Sequence, residues 1–238
     1  FVDVPDGEPV FSPWRPAPTA GIAIRLAETA GRPHGRPRVI AVDGRSASGK
    51  STFAAELAAE LPGVVVVHTD DVAWHHSFFE WSRVLIDGVL EPTWHGRSVR
   101  FRPPVWDERG REGAIEVPAE TRTLIIEGVG AAREDLMPYV DVVVWVQSDA
   151  SISRARGIAR DGGDAAASAF WDQWMAAEIP FLYRERPWER ADLIVTGTPP
   201  ASPRQPGASA HQTASVWISR SSELARTPYR HRKSKLIF

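Results

Sequence analysis

The residues best placed to do chemistry lie in one run, Val39-Ile40-Ala41-Val42-Asp43-Gly44-Arg45-Ser46-Ala47-Ser48-Gly49-Lys50-Ser51-Thr52. It contains Gly44-x-x-x-x-Gly49-Lys50-Ser51, the spacing of a P-loop. Two glycines let the backbone curl so that several amide N–H groups point at one phosphate. Lys50 adds a compact positive charge that can reach the β- and γ-phosphates of a nucleotide. The Ser51 hydroxyl can ligate magnesium. A helix starting near Lys50 turns its positive dipole end toward the same phosphates. The phosphate-binding expectation therefore covers Gly44, Arg45, Ser46, Ala47, Ser48, Gly49, Lys50, Ser51 and Thr52.

Average residue usage yields this pattern by chance in about one chain in a hundred of this length, so the flanks must decide. Val39 to Val42 is an apolar, β-branched run suited to a buried parallel strand. Phe53 to Leu61 is rich in Ala, Leu and Glu and reads as helix. Strand, glycine loop and helix is the context the motif needs. Lys50 is also the only lysine before Lys233 in a chain that otherwise uses arginine, consistent with a need for a point charge there.

Other elements must position this loop. Phe1 to Pro18 is rich in proline and acid and reads as an extended lead-in. Thr19 to Ala30 reads as a short helix, with a loop from Gly31 to Pro37 feeding the first strand. The second strand is Val64 to Val67, closed by His68-Thr69-Asp70-Asp71. Val72 to Leu90 is aromatic-rich and expected to be mostly helical. Ser98 to Val117 reads as an irregular β excursion that turns between Asp107 and Gly113. Core strands follow at Thr123 to Gly128 and Val140 to Val146. Helices follow at Ala150 to Asp161 and Ala165 to Glu178, and a last strand at Leu193 to Val195. Strands alternating with helices imply an α/β fold, a P-loop NTPase three-layer sandwich with a central parallel sheet. Residues 1–37 are expected as lead-in and helix, 38–197 as the P-loop domain, and 198–238 as a Pro/Ser/Arg-rich disordered tail.

Length and charge narrow the classes. The chain has 238 residues, enough for one α/β domain with a substantial core. A net charge of −2 gives no general attraction to nucleic acid or anionic membrane. Cysteine is absent, which excludes disulfides and thiolate metal sites and is compatible with a reducing cytoplasm. No apolar run approaches a membrane span of ~20 residues, and the N-terminal stretch has no secretory-signal pattern. Asparagine is also absent, so the guanine-reading Asn-Lys-x-Asp motif of GTPases cannot occur. The basic end of the tail (Arg226, Arg230, His231, Arg232, Lys233, Lys235) reads as a solvated tail, with contact to RNA or anionic lipid as the alternative.

A small-molecule kinase needs an acceptor-side carboxylate, magnesium ligands and cations around the transferring phosphoryl. Asp70 is the candidate base, because carboxylates just past a parallel strand face the crevice where ligands bind. Asp71 is its rival, with an alternative role as a helix cap. Glu127, after four apolar strand residues, reads as a magnesium-site or acceptor-contacting carboxylate. Arg154, Arg156 and Arg160 could close over phosphates, and the last two share a helix face. Trp74, Phe79 and Trp81 suit either stacking on a flat substrate or core packing. Arg100 and Arg102 suit either the acceptor pocket or a sheet edge. His68, His75, His76 and His95 lack the carboxylate frame of a metal site.

These residues resemble a known family. Gly44 to Thr52 looks like the P-loop of the uridine kinase family, within the group that includes phosphoribulokinase and bacterial pantothenate kinase. His68-Thr69-Asp70-Asp71 resembles that family's strand-two end, where an aspartate acts as base toward the sugar hydroxyl; Asp70 is the matching position. Ile125-Ile126-Glu127-Gly128 resembles its Glu-Gly strand end. Arg154 to Asp161 is similar to its lid helix, and Ala191 to Val195 to its closing Ala-Asp strand. The resemblance spans about Arg38 to Gly197, in order. In departure from the family, Asp71-Val72-Ala73-Trp74 replaces an aromatic pair, and Gly162-Gly163-Asp164 follows the lid.

The resemblance implies a kinase using ATP and Mg2+ that phosphorylates a small-molecule hydroxyl, with a nucleoside such as uridine among the candidates. Asp70, Lys50, Arg156 and Arg160 are its expected catalytic residues, and Ser51 and Glu127 its magnesium ligands. A cytoplasmic protein is expected, with no membrane or nucleic-acid partner and with homo-oligomerisation left open. The rival from another class is a regulatory or assembly ATPase without a small acceptor.

Overall fold

A computed structural model of the chain describes residues 3–5, 7–198 and 215–219. The strands in chain order are β1 (Trp14–Pro18), β2 (Arg38–Gly44), β3 (Val64–His68), β4 (Val99–Phe101), β5 (Ile115–Val117), β6 (Thr123–Glu127), β7 (Val142–Gln147), β8 (Leu193–Thr196) and β9 (Ser215–Ser219). The α-helices are α1 (Thr19–Ala30), α2 (Lys50–Glu60), α3 (Thr69–Ala73), α4 (Ser82–Leu85), α5 (Glu91–Trp94), α6 (Pro104–Glu108), α7 (Ala150–Arg160) and α8 (Ala165–Glu185). A π-helical turn, Ile86–Leu90, joins α4 to α5.

Strand β2 is apolar on both faces because both faces are covered. Ile40 and Val42 pack with Ile22, Leu26, Phe53 and Leu57 of α1 and α2. Val39 and Ala41 point the other way, toward Leu85, Val89 and Leu136. Further along that second face, Trp145 and Ile194 meet Phe181, Leu182 and Trp188. Such two-sided burial is what a central parallel strand requires. The main sheet runs β1-β9-β8-β7-β2-β6-β3, and β3, β6, β2, β7 and β8 are mutually parallel. The P-loop NTPase sandwich expected from the sequence is therefore the fold.

Strand β2 lies between β6 and β7; the chain passes from β2 to β3 on one side, returns to β6, and crosses to β7 and β8 on the other. In open α/β sheets that switch point opens a crevice at the carboxyl ends of the strands. The P-loop, His68, Glu127 and Gln147 all lie at those ends.

One expectation is corrected. Residues from 198 onward were expected to form a disordered tail, yet Ser215–Ser219 is strand β9, antiparallel to both β8 and β1. Val216 and Ile218 alternate inward and are buried beside the α1 and α2 core. Three apolar residues within a Ser- and Arg-rich stretch are too few to show a period. Their partner β1 is equally hidden by Pro16 and Pro18, which an edge strand tolerates. The remaining tail, including the basic stretch from Arg226 to Lys235, lies outside the described residues.

Val72 to Leu90 is mostly helical as expected, through α3, α4 and the π-helical turn, with one interruption. After α3 the chain loops through Trp74 to Trp81, with His75 at φ +54°. The Ser77 hydroxyl accepts from the Glu80 amide and tightens this loop. Trp81 and Phe79 are core residues, 1% and 8% exposed. The β excursion forms as the two-stranded β4–β5 sheet, with α6 between its strands. There Arg100 pairs with Glu116, and Arg102 with Asp107, so both stay at the sheet edge. Among the described residues no helix is long and apolar enough to cross a membrane.

Candidate functional site

Gly49 occupies the N-cap of α2, and no side chain caps that end. The first intrahelical bond runs from Phe53 N to Gly49 O. The amides of Lys50, Ser51 and Thr52 therefore precede the helical ladder and stay available to an anion. Lys50 is 6% exposed, and its Nζ donates to the Arg45 carbonyl at 2.8 Å. The loop is held closely from one side by Gly197. A Cβ on Gly197 would stand 1.5 Å from the Ser48 carbonyl oxygen.

Not every loop residue faces the crevice. The Arg45 side chain turns inward, is 3% exposed and pairs with buried Glu8. Glu8 also accepts from Gln147 Nε2 at 3.1 Å, so the N-terminal segment braces the P-loop against the end of β7. The Ser46 amide donates to the Glu178 carboxylate of α8 at 2.7 Å, and Glu178 is 1% exposed.

Asp43 is fully buried one residue before the loop. It accepts from the amides of Gly44 at 2.7 Å, Gly130 at 3.0 Å and Ala132 at 2.9 Å. Burial pushes its carboxyl up to about 6, opposed by those three amides and by Lys50. The carboxylate thereby ties the start of the P-loop to the segment after Glu127. Sequence reasoning passed over Asp43, although an acid interrupting an apolar strand just before Gly44 was a visible signal. Glu8, Gln147 and Glu178 carried no such signal, since only the packing of distant segments brings them to the loop.

Glu127 closes β6, and His68 closes the neighbouring β3; the register pairs the two residues directly. His68 Nδ1 lies 2.6 Å from Glu127 Oε2. Burial works to raise the Glu127 pKa. The His68 hydrogen bond, the charges of Lys50 and His68, and a hydrogen bond from Ser51 outweigh it and hold the carboxyl below its ordinary value. The Glu127 hydrogen bond raises the His68 pKa against partial burial. Ser51 and Glu127 thus bring two hard oxygen donors together beside the P-loop. That set fits Mg2+, which takes one or two protein oxygens and completes its shell with phosphate and water. Among the described residues no group of three or more His, Asp or Glu side chains forms a metal cage.

The two acids after β3 diverge. Asp71 pairs with Arg111 at 2.5 Å, and its carbonyl accepts from Trp106 Nε1 at 2.8 Å. Asp70 is exposed and lines a cavity of about 590 Å³ with Ser46, Trp74, Phe78, Arg160, Phe170, Trp171 and Trp174. A second cavity of about 630 Å³ lies along the other side of the P-loop. Its walls include Gly49, Ser51, Thr52, Arg156, Thr196, Gly197 and Trp217. Arg160 lines both cavities. Its guanidinium pairs with Asp161 at 2.8 Å, which is the main cause of its raised pKa; Asp70 adds to it. Arg156 donates to the Gly197 carbonyl at 2.9 Å. Arg154 instead pairs with Asp172 at 2.6 Å and links α7 to α8. The site thus gathers Lys50, Ser51, Asp70, Glu127, Arg156 and Arg160, while the side chains of Arg45 and Arg154 serve packing.

No protein-family model and no curated protein sequence matches the chain. Solved structures do. One, from Silicibacter sp. TM1040, is provisionally named a fructose transport system kinase. It is 24% identical over 64% of this chain and 87% of its own, with a TM-score of 0.50. Another, from Bacillus stearothermophilus, is provisionally named a uridine kinase. It is 21% identical over 74% of this chain and 96% of its own, also with a TM-score of 0.50. At such identities the likeness establishes the fold, which is that of the P-loop kinases.

Proposed function

We propose that the chain is a kinase that transfers the γ-phosphoryl of ATP to a hydroxyl of a small, ring-bearing alcohol such as a nucleoside. One observation carries this reading: two cavities flank the P-loop and meet at Arg160, with a carboxylate, Asp70, on the wall of one of them. Phosphoryl transfer needs two such compartments, one for each reactant, with the transferring group between them.

The amides of the P-loop and Lys50 hold the phosphates on one side. The acceptor occupies the aromatic cavity, where Trp74, Phe78 and Trp174 offer flat apolar surface. Asp70 orients the acceptor hydroxyl and takes its proton as the oxygen bonds to phosphorus and ADP departs. Arg156 and Arg160 offset charge on the transferring group. Ser51 and Glu127 are the residues to hold Mg2+, which when bound neutralises phosphate charge. The same reading fits a cytoplasmic enzyme drawing on cellular ATP.

The test is ADP release from ATP and Mg2+ against a panel of nucleosides, sugars and pantothenate, with Asp70→Asn beside the wild type. The expected outcome is turnover that requires one acceptor class and falls at least a hundredfold in the variant. Slow turnover indifferent to every acceptor and to the substitution would overturn the kinase reading in favour of a regulatory ATPase.

A further inference from the structure

The second cavity has a wall that the P-loop motif does not supply. Val216 and Trp217 reach it from β9, which pairs with β8 so that Trp217 stands opposite Thr196. The opposite wall is the P-loop itself, through Ala47, Gly49, Ser51 and Thr52. A nucleotide whose phosphates rest on those amides has its base and sugar in the remaining space.

Three observations point to Trp217 as the surface that receives the base. Val216 and Ile218 are buried at 8% and 1%, and alternation along the strand sends Trp217 to the other face, where it is half-buried. Among the described residues no ring stacks on Trp217 and no cation lies over it, whereas Trp74, Trp94, Trp106, Trp145, Trp171, Trp174 and Trp188 all have such partners. The neighbouring hydroxyl is already engaged: Thr196 Oγ1 donates to the Thr198 carbonyl at 2.9 Å and accepts from its amide at 3.0 Å. An indole face with no ring or cation on it among the described residues therefore stands on that wall.

We infer that Trp217, carried by the C-terminal strand β9, is a nucleotide-binding residue that stacks on the base of the bound nucleoside triphosphate. This rests on the reading of the P-loop as the triphosphate site. Base–aromatic stacking is strong enough to matter and tolerates any base, since every base has a π-face.

The test compares two probes on the full chain by calorimetry in the presence of Mg2+: ATP, and inorganic tripolyphosphate, which has no base. Trp217→Ala is expected to weaken ATP by about tenfold or more and to leave tripolyphosphate unchanged, while Trp217→Phe restores most of the ATP affinity. Trp217→Leu keeps a large apolar side chain in the strand and is expected to behave as the alanine variant does toward ATP. Equal loss for both probes would make Trp217 a structural residue and overturn the inference. Undiminished ATP binding in the alanine and leucine variants would overturn it as well. A wild type that binds neither probe would instead refute the triphosphate site itself, so the two failures are distinguishable.

Discussion

Asp43 shows how a single buried side chain can set both geometry and pH response. Its three amide partners fix the start of the P-loop against the Gly128 to Ala132 segment, which follows the Glu127 carboxylate. Its carboxyl titrates at about 6 rather than the ordinary 3.8, chiefly because of burial. Between those two values the unfolded chain has released this proton and the folded chain keeps it. Stability therefore falls as pH rises through that window, by up to about 3 kcal/mol from this group. Asp192, also raised to about 6 by burial, contributes with the same sign. Thermal unfolding midpoints measured from pH 4 to pH 7 should decline in the wild type and decline less in Asp43→Asn, which cannot ionise. Parallel profiles would place the pH dependence on other groups. Legibility varied residue by residue. The placement of Lys50 and Ser51 at the start of α2 was readable because the Gly-x-x-x-x-Gly-Lys-Ser spacing is contiguous in sequence. The choice between Asp70 and Asp71 was not, because only the position of Arg111 and Trp106 shows which acid is already engaged.

Helices α7 and α8 act together, since one carries Arg156 and Arg160 and the other supplies Glu178 to the Ser46 amide. Their close approach depends on Gly157. A Cβ there would lie 1.8 Å from the Trp171 ring, and Trp171 Nε1 donates to Asp161 at 2.8 Å just beyond α7. Gly157→Ala should force the two helices apart at a cost of about 2 kcal/mol, the scale of an overpacked core. The same shift displaces Arg156 and Arg160 from the cavities, so kcat with ATP and acceptor should fall about tenfold or more. Differential scanning calorimetry together with steady-state kinetics checks both effects. A variant with normal midpoint and normal kcat would show that the α7–α8 contact neither stabilises the fold nor places the arginines.

At the scale of the whole molecule, the five parallel strands are continued by β9, which runs against them, and then by β1, which runs against β9 and so with the five. This arrangement joins the two ends of the described chain: Trp14–Pro18 pairs along its length with Ser215–Ser219. Ending the chain at Thr198 would remove β9, leave β1 without its partner and expose the edge of β8. Burial of Val216 and Ile218 is worth about 1.5–3 kcal/mol each, so this truncation should lose several kcal/mol of stability by urea unfolding. A chain ending at Ser219, which keeps β9, should be the more stable of the two by that margin. Equal stability of the two truncations would remove β9 from the folded core. The sequence by itself determined the P-loop, the order of the five parallel core strands, and the position of Glu127 at a strand end. Each of these is written in contiguous residues, through hydrophobic period or fixed spacing, and local backbone geometry enforces them. Only the tertiary structure decided that Trp217 borders a cavity beside the P-loop, that Glu8 and Glu178 engage the P-loop backbone and its arginine, and that Asp70 rather than Asp71 faces a cavity. These depend on pairing between segments far apart in the chain, where a short apolar run or a lone acid has no local signature until the partner that buries it is in place.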